Sequence, residues 1–190
     1  MGKVTLDEVI GLQDPLTSSM YELIFLDIPD AVIKPPGYTD RLVAVACQSC
    51  TLPGKTIEDV PVDLHNSIIH YSGKVTFGGT MTLTFVETRN MLFYHFFYDW
   101  MSYIKSHKTQ LGQYKVKYSS QAILRIFDQN QTVVGAFNVY GLWPNTLPEL
   151  TFDGGNALIT IPAGFMFDYC ERIASGNSPA DKQYAIASSD

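Results

Sequence analysis

The chain has 190 residues, enough for one domain that buries a core without disulfides or metals. Charged residues make up only 17%, against roughly 25% in typical soluble domains, and the net charge is −6. No run of about 18 apolar residues offers a membrane helix, and no Lys/Arg cluster announces a nucleic-acid site, so an acidic chain of this kind is expected to repel DNA. So few charges point to a surface partly covered by other subunits, and they also fit a compact, Thr- and Tyr-rich monomer.

The first fifteen or so residues, MGKVTLDEVIGLQDP, lack the apolar centre of a signal peptide, which predicts synthesis and retention in a cytoplasm. Three cysteines, an odd number, fit a reducing compartment. The segment from Tyr21 to Leu26 has the pattern of a strand, followed by a Pro/Gly-rich loop from Ala31 to Asp40. Arg41 to Cys50 is expected as a second strand, stopped by Leu52-Pro53-Gly54, and Ser67 to Ser72 as a third. Met81 to Val86 alternates cleanly: Met81, Leu83 and Phe85 face one way, Thr80, Thr82 and Thr84 the other.

Residues 90–107 break the pattern and predict a helix. Phe93, Phe97, Trp100 and Ile104 recur at helical spacing and form an anchoring stripe. Tyr94 and Tyr98 fall off it, so the helix should be covered on two sides, with those tyrosines toward a neighbouring subunit or solvent. Two further strands, Gln121 to Phe127 and Val133 to Tyr140, flank a turn at Asp128 to Gln131. Trp143 and Pro144 then stand where a bend is expected, which leaves three roles for the tryptophan: ligand platform, core plug or assembly surface. Ala157 to Tyr169 closes the set, with Ile159, Ile161, Phe165 and Phe167 on one face and Thr160 and Asp168 on the other. The Ser- and Ala-rich end predicts a division into a domain over 1–172 and a flexible or partner-ordered tail over 173–190. The fold class is therefore mainly β: an antiparallel β-sandwich or small barrel with one flanking helix.

Chemistry is sparsely signalled. Cys47 and Cys50 form a C-x-x-C match at a strand end, whereas redox use wants a helix N-terminus and zinc wants a second ligand pair. His95 and Asp99 share a helical face, but no nucleophile elbow accompanies them. No catalytic residue, metal site or cofactor is expected.

The residues in order resemble a known family. Leu52-Pro53-Gly54, Val60-Pro61-Val62, the run from Asn66 through Gly73 to Thr76-Phe77, the threonine-alternating strand with Glu87, Asp99-Trp100 after Phe97, Gly141-Leu142-Trp143-Pro144 and Glu149-Leu150 are collinear with tail tube proteins of contractile-tail bacteriophages. The resemblance covers roughly Met20 to Glu171. The loop from Ala31 to Asp40 and the stretch after Glu171 depart from it.

Such proteins resemble the type VI secretion tube protein in fold. The resemblance implies a structural role: a homo-hexamer whose rings stack into a helical tube, surrounded by a tail sheath protein. It also implies a baseplate or tube initiator, a tape measure protein, a tail terminator, and non-specific passage of double-stranded DNA through the lumen. The location would be a virion tail assembled in the bacterial cytoplasm. Tube subunits of phage-like bacteriocins, extracellular contractile systems or type VI systems share the same expectation. A monomeric β-sandwich binding module is the reading from another class. Within the tube reading, Trp143 is expected to plug the core with Pro144 fixing the chain's exit. Thr80, Thr82, Thr84, Thr160 and Asp168 are expected to face the channel.

Overall fold

The computed structural model describes residues 20–152 and 158–173. The chain is mainly β, built of antiparallel strands. A seven-stranded sheet runs in the order β1-β6-β7-β8-β5-β2, with β9 pairing on β7. The strands are β1 (Tyr21–Leu26), β2 (Cys47–Cys50), β5 (Thr80–Val86), β6 (Ser120–Phe127), β7 (Val133–Thr146), β8 (Thr160–Met166) and β9 (Tyr169–Ile173). A second, two-stranded sheet is the hairpin β3 (Lys55–Leu64) and β4 (Ser67–Phe77).

The large sheet is curled on itself. Phe25 of β1 meets Phe165 of β8 at a ring separation of 5.8 Å, although two strands lie between them in the sheet order. Its two ends also approach each other: the Tyr21 hydroxyl on β1 donates to the Cys47 carbonyl on β2 at 2.9 Å. That is a side-chain link and not a ladder, so the sheet is a curled sandwich and not a closed barrel.

Strand β7 makes the turn between the two halves. Its first part pairs with β6 and with β9, and its last part pairs with β8. At the changeover Gly141 has φ +67, and a Cβ there would overlap the Asp168 carboxylate. Both facts require glycine. The strand expected to end at Tyr140 therefore continues through a bend at Gly141 to Thr146. The single strand expected over Ala157 to Tyr169 divides into β8 and β9, because the chain crosses at Asp168 from one half of the sheet to the other; Ala157 lies outside the described residues. The expected domain limit at residue 172 falls inside β9, and residues 174–190 lie outside the described residues.

Among the described residues three helices accompany the strands: α1 (Asp40–Ala46), α2 (Leu92–Ile104) and the short α3 (Lys115–Tyr118). The expected strand from Arg41 to Cys50 is thus half helix. Thr39 is the reason: in extended geometry its hydroxyl accepts the Leu42 N–H at 3.1 Å, with Asp40 in the first turn. The helix places Val43 in the core, and only Cys47–Cys50 joins the sheet.

Helix α2 fills the sandwich. Leu92, Phe93, Phe96, Phe97 and Trp100 are buried, a wider stripe than the four residues expected. Phe85 lies 5.2 Å from both Phe93 and Phe97, and Phe97 meets Phe165 edge-on at 5.4 Å. Trp100 is fully buried, and its indole N–H donates to the Tyr118 carbonyl at 2.8 Å, which satisfies its polar atom. Ile104, the last of the expected anchors, is half-buried.

Candidate assembly surface

The hairpin β3–β4 is the most unusual element. Its strands have 10 and 11 residues, and nearly every residue in them is exposed. The register places Val60 opposite Tyr71, Val62 opposite Ile69 and Leu64 opposite Ser67. Residues directly opposite share a face, so Val60, Val62, Leu64, Ile69 and Tyr71 form one apolar face. Tyr71 is 53% exposed and Val60 45%. The other face pairs Asp59 with Ser72, Pro61 with His70 and Asp63 with Ile68. There the His70 imidazole meets the Asp59 carboxylate at 2.7 Å. Gly73 sits at a bulge, where a Cβ would come within 2.8 Å of a Val60 methyl.

A hairpin with one apolar face open to water is marginal by itself. The sequence carried the signal: Val60, Val62 and Leu64 alternate. Reading only Ser67 to Ser72 as a strand missed most of the element, because Pro61 and the acidic residues masked the period.

A second apolar surface lies between α2 and the end of β7. It is a groove of about 570 Å³, open to solvent, with Tyr94, Tyr98, Met101 and Ile104 on one side and Trp143 and Leu147 on the other. Tyr94 and Tyr98 stack with ring centroids 6.4 Å apart and planes 17° apart. Lys105 and His107 stand at its rim. Beyond the rim the chain is basic: Lys105, Lys108, Lys115 and Lys117 fall in a stretch with no acidic residue between Asp99 and Asp128. Lys115 is ion-paired with Asp168.

Trp143 belongs to this groove and not to the core. It is half-buried and meets Tyr118 edge-on at 5.7 Å. Strand alternation explains the correction: Leu142 and Pro144 point inward and are buried, so the residue between them points outward. Leu142, fully buried, is the residue that plugs this part of the sandwich.

The threonine face is continuous across two strands. Thr80 pairs with Met166, Thr82 with Gly164, Thr84 with Pro162, and Val86 with Thr160. Met81, Leu83 and Phe85, between the threonines, are buried. Thr80, Thr82 and Thr160 are exposed and Thr84 is half-buried. Asp168 does not extend this row: it follows the end of β8, and its N–H donates to the Tyr140 carbonyl at 2.9 Å.

The remaining chemical candidates stay apart. Among the described residues no group of three or more His, Cys, Asp or Glu side chains is placed to hold a metal ion. Burial pushes the Cys47 thiol up to about 12 and Cys50 up to about 11, the opposite of an activated nucleophile. No described helix is long and apolar enough to cross a membrane.

A curled antiparallel domain, a buried aromatic helix and a projecting amphipathic hairpin define a subunit built to pack against other proteins. A model of the phage tail tube protein family matches residues 16–149, and the chain belongs to that family: it is a structural subunit of a tail tube. The fold is also that of solved structures from contractile injection systems. A chain of the anti-feeding prophage tube-terminating cap is 15% identical, with a TM-score of 0.61 over 86% of this chain and 93% of that one. A chain of an extracellular contractile injection system, the PVC sheath–tube complex in its extended state, is 13% identical, with a TM-score of 0.56 over 90% and 99%. A chain of the anti-feeding prophage baseplate is 11% identical, with a TM-score of 0.59 over 85% and 97%. No curated protein sequence matches the chain.

Proposed function

We propose that this tube subunit forms sixfold rings that stack into a hollow tube, and that the viral genome passes through the lumen. The role is structural and involves no turnover. Its partners are further copies of itself, a surrounding sheath, a baseplate initiator, a tape measure protein and a terminator at the far end. It is made in the host cytoplasm and ends in the virion tail.

The observation that carries this reading is the uncovered apolar face of β3–β4. Burial of apolar surface is worth roughly 25 cal/mol per Å², and a face this large stays open only where a partner is meant to cover it. Edges that carry no further strand among the described residues point the same way. Strands β1 and β2 end the sheet path, and joining such edges between subunits removes sites of uncontrolled pairing. The neutral threonine face suits a channel wall, because DNA is held by phosphate-neutralising cations and these strands offer none there.

Negative-stain microscopy of the purified protein, alone and with its baseplate initiator, tests the reading. Rings of sixfold symmetry or tubes of ring width are expected. A protein that stays monomeric at high concentration with the initiator present would refute it. Packaging of DNA into particles that carry the tube then separates a phage tail from a tube that conducts no genome.

A further inference from the structure

We infer that the seat for the distal half of the β3–β4 hairpin is the α2–β7 groove of a second copy of this chain. The inference rests on the tube-subunit reading and names the contact by which one subunit holds the next.

Both surfaces are apolar and exposed on the same chain. The hairpin presents Val62, Leu64 and Ile69 near its tip, and the groove presents Tyr98, Met101 and Trp143. Their charges are opposite. Between Thr56 and Gly73 the hairpin has Glu58, Asp59 and Asp63 and no Lys or Arg. Asp59 already meets His70, so Glu58 and Asp63 carry the outward negative charge. Lys105 and His107 are among the residues that line the groove, Lys108 is next in the chain, and no Asp or Glu is among the lining residues; the acidic residues closest to it in sequence are Asp99 on α2 and Glu149 after Leu147. Apolar contact at the centre with opposite charges at the border is how specific interfaces are built.

Symmetry separates this occupant from its rival. Two hairpins covering each other's apolar faces would make a closed twofold dimer and stop. A hairpin seated in a different surface of the next copy is a heterologous contact, which propagates into rings or stacks. A tube needs the second kind.

The test uses assembled particles of the full chain. A photo-crosslinking phenylalanine analogue replaces Leu64, and cross-linked peptides are mapped by mass spectrometry. Cross-links to Tyr94–Lys105 or Trp143–Leu147 of a second copy are expected. Links confined to another hairpin, or to any other surface, overturn the inference and leave the tube reading intact. Charge reversal gives an independent measure. Glu58→Lys/Asp63→Lys and Lys105→Glu/Lys108→Glu should each raise the concentration needed for assembly about tenfold. The combined variant should recover most of that loss, since the reversed charges again attract. Wild-type assembly by both charge-reversed variants overturns the seat alone. A wild-type protein that never assembles overturns the tube reading and the seat together.

Discussion

The carboxylate of Glu87 accepts the backbone N–H of Tyr94 at 2.8 Å, and its other oxygen accepts the N–H of Phe93 at 3.1 Å. Glu87 lies just after β5, so one side chain ties the threonine strand to the first turn of α2. The helix needs it. Its N-cap, Met91, is left-handed and contributes no side-chain cap. Only Thr88 helps, accepting the Leu92 N–H at 3.2 Å. A negative charge at this end is also attracted by the positive end of the helix dipole.

Glu87→Ala should therefore lower stability by about 2 kcal/mol, at the upper end for a lost cap, since two first-turn amides lose their partner. Glu87→Gln keeps one acceptor and should lose about 1 kcal/mol. Urea midpoints at constant slope would measure both. Equal, negligible losses would show that water satisfies those amides as well as the carboxylate does.

The outward position of Trp143 makes a second expectation. Leu142→Ala should cost about 3–4 kcal/mol as a core deletion. Trp143→Ala should cost clearly less, about 1–2 kcal/mol, because the ring is half-buried against Tyr118 and borders an open groove. Thermal unfolding of the two variants side by side decides it. A larger loss for Trp143 would return that residue to the core.

These two neighbours show what the sequence made legible. The mainly β class, the inward set Met81, Leu83 and Phe85, and the helix with Phe93, Phe97 and Trp100 were readable, because period alone determines them. The size of Trp143 suggests a core residue, but its phase in the strand, set by the buried Leu142 and Pro144, turns it outward. Helix α1 was missed because Val43 and Val45 favour strands, while the deciding group was a single hydroxyl, on Thr39. The groove could not be read at all. Its two walls, Tyr94 to Ile104 and Trp143 to Leu147, meet only once β7 has passed its bend at Gly141.

The buried thiols set an alkaline limit. Burial raises Cys47 from an ordinary 9.0 to about 12 and Cys50 to about 11, so the folded state favours the protonated form. This contribution is fully present below about pH 9, where unfolded thiols are also neutral. It is lost as pH rises from about 9 toward 11–12, because only the unfolded chain ionises in that window. Tyr21, whose hydroxyl donates to the Cys47 carbonyl, is shifted upward by burial as well. Melting temperature should thus hold steady from pH 7 to 9 and fall above it. Cys47→Ala/Cys50→Ala should be less stable at pH 7 yet show a shallower fall between pH 9 and 10. An unchanged slope would mean that the thiols do not govern it.

The last expectation concerns the threonine face and depends on the proposed channel. On β5 and β8 the outward row is Thr80, Thr82 and Thr84 beside Met166, Gly164 and Pro162, with no charge among them. Threonine suits a strand through its β-branch, and its hydroxyl keeps the surface wet without binding phosphate tightly. Thr80 and Thr82 are exposed while Thr84 is half-buried, so a lysine pair at the first two positions disturbs the subunit least. Thr80→Lys/Thr82→Lys should change subunit stability by no more than about 0.5 kcal/mol, the usual range for surface positions. Assembly should proceed. In a sixfold ring each new cation is repeated six times, and every ring along the tube repeats it again. Each phosphate neutralised adds affinity that falls with salt, with a slope of about −0.9 per contact on duplex DNA. Genome ejection should therefore slow or stop at low ionic strength and recover in part at high salt. Microscopy of the variant particles paired with a DNA-ejection assay over a salt series makes the measurement. Intact tubes that eject at the wild-type rate at every salt concentration would mean that this face does not line the channel.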